Sequence, residues 1–287
     1  MSLATGDVVL PHGAFSDAPT RREATVRAIT GHDEAWLGQR RFATQAEAST
    51  AILARVVLRL DGARPDAAAI RRLVLGDREA LLLHALRLAC GERVDAVLAC
   101  PACREAMDLG LAVDDLMLAP YEDAPPAHET DVDAGEGRRW RATFRLATGA
   151  DLEAAGSATV SRSSADGARV LLDRCLLAAE DEDGRPLAPP WPAPFAEAVG
   201  DAMRARDPQA DLGFDLACPA CGGAVEAELD AGAFLARRLT TPARLLREVH
   251  ALALRYHWSE RDALALTPQR RAAYLQLLDE DASEDVA

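Results

Sequence analysis

The 287 residues carry 46 acidic and 32 basic side chains, a net charge of −14, and every basic residue is arginine. That balance leaves no basic face to release counterions from nucleic-acid phosphate, and it disfavours an anionic membrane surface as well. The length suits roughly two domains, no stretch approaches the ~20 apolar residues of a membrane span, and the opening Met1-Ser2-Leu3-Ala4-Thr5-Gly6 has no secretory pattern, so a soluble, cytoplasmic protein is expected.

Residues 1–20, with Pro11-His12-Gly13 and Asp17-Ala18-Pro19, read as an extended arm. Residues 23–29 alternate enough for a strand, Thr30-Gly31-His32-Asp33 makes a turn, and Asp33 is placed to cap a short helix over 34–37. Thr44 caps a second helix, with Ile52, Val56, Val57 and Leu60 at helical spacing until Asp61-Gly62 ends it. Asp66 opens a helical region holding Ile70, Leu73 and Val74. Gly76-Asp77 interrupts it, and Asp77 caps a helix over 78–89 with Leu82, Leu83, Leu86 and Cys90 inward. Two alternating apolar runs then flank Cys100-Pro101-Ala102-Cys103, the pattern of a hairpin, and 114–118 closes the first half.

Residues 119–137 are rich in Pro, Asp, Glu and Gly and read as a linker. A strand is expected over 139–146, partial helix over 149–168, a helix over 168–179 with Cys175 on its apolar face, and a loop over 180–194. A helix over 195–205 ends at Asp207-Pro208. A second hairpin surrounds Cys218-Pro219-Ala220-Cys221, and a short helix follows over 231–239. Thr241-Pro242 starts a helix with one apolar stripe up to Tyr256, Ser259 and Asp262 form a capping-box pattern, and Thr267-Pro268 starts the last helix. The tail from Asp279 is acidic and expected to be disordered.

The two Cys-Pro-Ala-Cys hairpins lie 118 residues apart (100 to 218, 103 to 221). The same offset relates Val26-Arg27-Ala28-Ile29-Thr30-Gly31-His32-Asp33 to Phe144-Arg145-Leu146-Ala147-Thr148-Gly149-Ala150-Asp151. These matches indicate an internal duplication of about residues 20–118 and 138–236. Each Cys-x-x-Cys turn supplies half of a tetrahedral zinc site, so Cys100, Cys103, Cys218 and Cys221 are expected to bind one Zn2+. With no further polar ligand nearby the site would be closed, hence structural. The rival use of the same residues is dithiol redox chemistry, which favours a cysteine at a helix N-terminus; here each pair lies between strand-like runs. Cys90 and Cys175 read as buried small hydrophobes.

His12, His32, His84, His128, His250 and His257 are scattered without metal spacing. No nucleophile elbow, phosphate loop or dinucleotide fingerprint occurs. The chain is therefore not expected to be an enzyme. Tyr256, Trp258 and Tyr274 concentrate aromatics near the C-terminus, either to cover a core or to form a partner-binding helical hairpin.

Leu10-Pro11-His12-Gly13, Thr30-Gly31-His32-Asp33-Glu34, Gly76-Asp77-Arg78-Glu79-Ala80-Leu81-Leu82-Leu83 and Gly91-Glu92-Arg93-Val94 ahead of the first cysteine pair resemble the T4-type baseplate hub assembly chaperone family. That family belongs to contractile phages and phage-like contractile injection systems. The resemblance spans about residues 8–118. The stretch Tyr256-His257-Trp258-Ser259-Glu260 to Arg270-Arg271-Ala272-Ala273-Tyr274-Leu275 is similar to short helical proteins of contractile tail gene clusters, over about 240–278. It implies a bacterial baseplate assembly factor or retained component whose partners are hub or spike proteins, with no nucleic acid and no membrane.

The expected fold class is α+β: an internally duplicated two-lobe protein with a shared four-cysteine zinc ribbon of two CPxC knuckle hairpins and a C-terminal helical appendage. The expected parts are a first lobe (1–118), an acidic Pro-rich linker (119–137), a second lobe (138–239), a helical hairpin (240–278) and an acidic tail (279–287). A dithiol redox protein and a zinc-ribbon adaptor of another complex stand as alternatives.

Overall fold

Three antiparallel strands form the first sheet: β1 (Thr5–Val9), β2 (Glu23–Arg27) and β3 (Val57–Leu60), with β2 central. A computed structural model describes residues 3–13, 22–122, 124–133, 139–239 and 241–284. Between β2 and β3 lie α1 (Gly31–Gly38) and α2 (Gln45–Val56). Thr30, not Asp33, is the N-cap of α1; Asp33 is the third helical residue and closes a capping box back onto Thr30. The helix expected to run through Leu60 ends at Val56, because Val57 turns extended and pairs with Val26 of β2.

Asp66 caps α3 (Ala67–Arg72), and α4 (Leu75–Cys90) follows. Gly76 and Asp77 lie inside the first turn of α4 rather than before it, and Val74 is the N-cap. Asp77 is turned instead toward the N-terminal segment, so residues 10–13 form a buried contact instead of a loose arm. The first knuckle is β4 (Arg93–Ala99) paired with β5 (Ala106–Ala112), and α5 (Val113–Leu116) completes the first half.

The second half has the same order of three strands with two helices between the second and third, and also ends in a knuckle hairpin and a helix. Its sheet is β6 (His128–Asp133), β7 (Arg139–Phe144) and β8 (Leu176–Asp181), with β7 central and the same register shift at Thr143/Phe144 that β2 has at Thr25/Val26. β6 lies within residues 119–137, so part of the expected linker is an edge strand. Two helices connect β7 to β8, α6 (Gly149–Ser161) and α7 (Ser164–Cys175); the helix expected over 168–179 ends at Cys175 and continues as β8. Then come α8 (Ala193–Arg206), a 3-10 turn over Pro208–Ala210, the second knuckle β9 (Leu212–Ala217) with β10 (Ala224–Leu229), and α9 (Ala231–Arg238).

The main core belongs to the first half and contains Val26, Leu53, Leu81, Leu83 and Leu86. It also takes Ala231, Phe234 and Leu235 of α9, so the end of the second half is packed into the first. A smaller core holds Phe144, Leu172, Phe195 and Val199. The C-terminal part is α10 (Pro242–Tyr256), α11 (Glu260–Leu264) and α12 (Pro268–Glu284) around Leu245, Val249 and Leu252. The acidic tail expected to be disordered is helical through Glu284; residues 285–287 lie outside the described residues. No helix among the described residues is long and apolar enough to cross a membrane.

Candidate metal centre

The two knuckles meet at their tips. Cys100 Sγ lies 3.7 Å from Cys221 Sγ, and Cys103 Sγ lies 3.7 Å from Cys218 Sγ. All four sulfurs fall within 4.8 Å of one another. These separations are far too long for a disulfide, whose sulfurs sit about 2.05 Å apart. They match a tetrahedron of thiolates around one ion, where metal–sulfur bonds of about 2.3 Å put the sulfurs about 3.8 Å apart. Among the described residues no other group of His, Cys, Asp or Glu is gathered this way.

Each tip is set by its own turn. The Cys100 N–H donates to Glu105 O and the Arg104 N–H to Cys100 O; the Cys218 N–H donates to Gly223 O and the Gly222 N–H to Cys218 O. Arg104 and Gly222 both take positive φ, 65° and 71°. Cys100 and Cys218 are buried, while Cys103 and Cys221 reach the surface. Met107, Val225, Leu98 and Leu216 form a small apolar floor beneath the buried pair. The N–H of Cys103 holds the Cys100 thiol down at about 6. The Glu105 N–H also favours the Cys103 thiolate, but burial and hydrogen bonds with the three other sulfurs push that thiol up to about 12. Four close sulfurs cannot all ionise without a cation among them, and a bound cation would supply that charge.

Three kinds of polar junction hold the parts that carry the tips. In the first, the Asp77 carboxylate accepts from the His12 and Gly13 N–H groups at 2.8 and 3.1 Å, and His12 Nε2 lies 3.0 Å from Asp207 Oδ1. Asp207 also accepts from the Gly76 N–H, and the Gln209 side chain bonds Leu118 N–H and Leu116 O. Burial pushes Asp77 up to about 6. This junction ties the N-terminal segment, the start of α4 and the end of α8. In the sequence Pro11-His12-Gly13 reads as part of an extended arm and Asp77 and Asp207 as helix-end residues; no local pattern signals contacts this distant.

In the second kind of junction, one carboxylate is held by two arginines, once in each half. Asp33 accepts from Arg27 and Arg55 (2.6 and 2.8 Å), and Asp151 accepts from Arg145 and Arg174 (2.6 and 2.8 Å). Burial alone would raise both acids, but the arginines and the Thr30 and Thr148 N–H groups outweigh it and hold both well below the usual range. The third junction attaches the C-terminal helices: Arg271, 1% exposed, donates to Glu34 at 2.5 Å and to Glu248 at 2.7 Å.

The remaining candidates fall outside the centre. His32, His250 and His257 are exposed. His84 lies against Arg87, and His128 stacks on Phe144. Burial raises the Cys90 thiol, and burial with Asp151 nearby pushes the Cys175 thiol up to about 11, as inert core thiols require. Tyr256, Trp258 and Tyr274 stack on one another at 4.9–5.7 Å and cover the core of the C-terminal helices. No protein-family model matches the chain, and no curated protein and no solved structure is detectably similar to it.

Proposed function

We propose that this chain is a non-enzymatic assembly factor or structural component of the baseplate of a contractile phage tail or phage-like injection particle. In this reading it is a duplicated scaffold clamped by one structural Zn2+ on Cys100, Cys103, Cys218 and Cys221. The observation that carries it is the closure of four sulfurs from both halves into one tetrahedral spacing. Four thiolates with no open position suit zinc in a structural role. The duplication is supported by the paired sheets, with their matching register shift, and by the Asp33 and Asp151 junctions. The baseplate assignment rests on the resemblance of residues 8–118 and 240–278, and the partners it implies are hub or spike proteins.

A pull-down with the tagged chain from its native host, tail genes intact, tests the assignment. Enrichment of hub or spike proteins is expected; their absence with the tail genes expressed would contradict it. The second reading, a dithiol redox protein, draws on the Cys100 thiol held near 6. Against it, each pair sits at a hairpin tip rather than at a helix N-terminus, and each cysteine of one pair lies 3.7 Å from a cysteine of the other. A thiol titration with a reactive, low-pKa cysteine in the metal-bound protein would favour it.

A further inference from the structure

Where α2, α4 and α6 meet the N-cap of α9, the two halves leave a cavity of about 360 Å³ between them. Ser49 and Glu79 line it from the first half, and Leu152 and Glu228 from the second. Leu75, Leu82 and Leu229 give it an apolar wall. A concave, mostly apolar space with a few converging polar groups is the usual form of a small-molecule site.

The charged side chains around it are four acids and one arginine. Glu79 is half-buried, while Asp211, Glu228 and Asp230 are exposed at the mouth. Among the described residues only Asp211 reaches a cation, Arg204 at 3.9 Å. Arg78 does not answer the acids: its buried guanidinium donates to Ile70 O, Ala46 O and Thr50 Oγ1 at 3.0–3.4 Å and presses on Gly149. Ser49, 6% exposed, lines the cavity with a hydroxyl that has no hydrogen-bond partner among the described residues. Gly232 leaves that corner open, since a Cβ there would stand 2.3 Å from Ser49 Oγ and 3.2 Å from Asp230 Oδ1. The acids are too spread to share one metal ion: among the described residues only the four cysteines gather within 4.8 Å. An elongated organic cation, by contrast, meets separated carboxylates and an apolar wall together.

We propose that this cavity binds a small aliphatic dication. One ammonium or guanidinium group lies against Glu79 and Ser49, the other among the acids at the mouth, and the carbon chain runs along Leu75, Leu82 and Leu229. Carboxylate and hydroxyl oxygens accept from such a group, and the charge-assisted bonds are the stronger ones. Burial pushes Glu79 up to about 8, so it holds a proton at neutral pH. A cation beside it favours the carboxylate, and binding therefore releases that proton. The inference goes beyond the scaffold reading and needs neither the zinc nor a baseplate partner.

The test is calorimetric titration of the full chain as purified with agmatine, which carries a guanidinium and an ammonium on a short alkyl chain, at neutral pH in two buffers of different ionisation enthalpy. Saturable one-to-one binding with proton release is expected, and n-butylamine, with a single charge, should bind about tenfold more weakly. Glu79→Gln keeps an oxygen for the Ala231 N–H; it should weaken agmatine binding about tenfold and abolish the proton release. Ser49→Ala should weaken binding severalfold. Glu182→Gln, which removes the same charge from an exposed position after β8, should change nothing. Absence of saturable binding, equal weakening by Glu182→Gln and Glu79→Gln, displacement by an equal concentration of Mg2+, or tighter binding of N-acetylarginine amide, the stand-in for a partner protein's side chain, would each overturn the proposal.

Discussion

Arg104 and Gly222 occupy the same backbone position in the two knuckles, and both are left-handed, at φ 65° and 71°. Each follows the second cysteine of its pair, where the turn must fold back so that its N–H reaches the first cysteine's carbonyl. Glycine adopts this conformation freely, whereas an L side chain costs about 1–2 kcal/mol. Arg104→Gly is therefore expected to stabilise the protein by about 1 kcal/mol, and Gly222→Ala to destabilise it by a similar amount. A Cβ at Gly222 meets nothing within 4 Å, so the second effect isolates backbone conformation. Denaturant unfolding of the two variants checks both signs.

The Asp33 and Asp151 junctions differ in how well their arginines are shielded. Arg27 and Arg55 are 16% and 28% exposed, while Arg145 and Arg174 are 32% and 44% exposed. Removing a buried partner strands the others, and solvent screens the stranded charge in proportion to its exposure. Asp33→Asn should cost about 3 kcal/mol and Asp151→Asn about 2 kcal/mol. Both acids are held below their ordinary values, so their contribution is present above pH 3.8 and lost as pH falls below it. Acid unfolding curves of the two variants should lose that limb in the same order.

Glu79 and Asp77 act in the opposite direction. Burial pushes Glu79 up to about 8 and Asp77 up to about 6. Each binds its proton more tightly folded than unfolded, so the stability it contributes is complete below its ordinary value and lost as pH rises through its folded value. For Glu79 that window runs from pH 4.5 to about 8. Glu79→Gln should flatten the stability profile across this window by about 1–3 kcal/mol. The difference between variant and native curves is the measurement; a parallel pair of curves would contradict the assignment.

Arg271 is the fastening of the C-terminal helices, joined to Glu34 of α1 and Glu248 of α10. Arg271→Ala leaves both glutamates without this cation and should cost about 3–5 kcal/mol. Arg271→Lys should recover only part, since one ammonium cannot reproduce the guanidinium fork. Limited proteolysis should then cut near Thr241 before the rest of the chain is digested.

Sequence periodicity found most helices and both hairpins, and the cysteine spacing found all four members of the sulfur cluster. Where it failed, a tertiary partner decided. Val57 and Leu60 fit a helical stripe, but pairing with Ala24 and Val26 made them a strand. The same conversion occurs after Cys175, where Leu176 pairs with Phe144. β6 was hidden because Glu129, Asp131 and Asp133 face outward on an edge strand and read as linker. Asp77 and Asp207 looked like helix-end residues, and only the folded chain brings His12 between them.

Metal content of the reduced, purified chain and of its Cys100→Ser and Cys218→Ser variants tests the central claim most directly. The account predicts one zinc per native chain, with affinity falling sharply in both variants alike, since structural zinc contributes about 10–16 kcal/mol of apparent binding energy in finger peptides. Two metals per chain, none, or loss from only one of the two variants would contradict a single ion gripped by both knuckles.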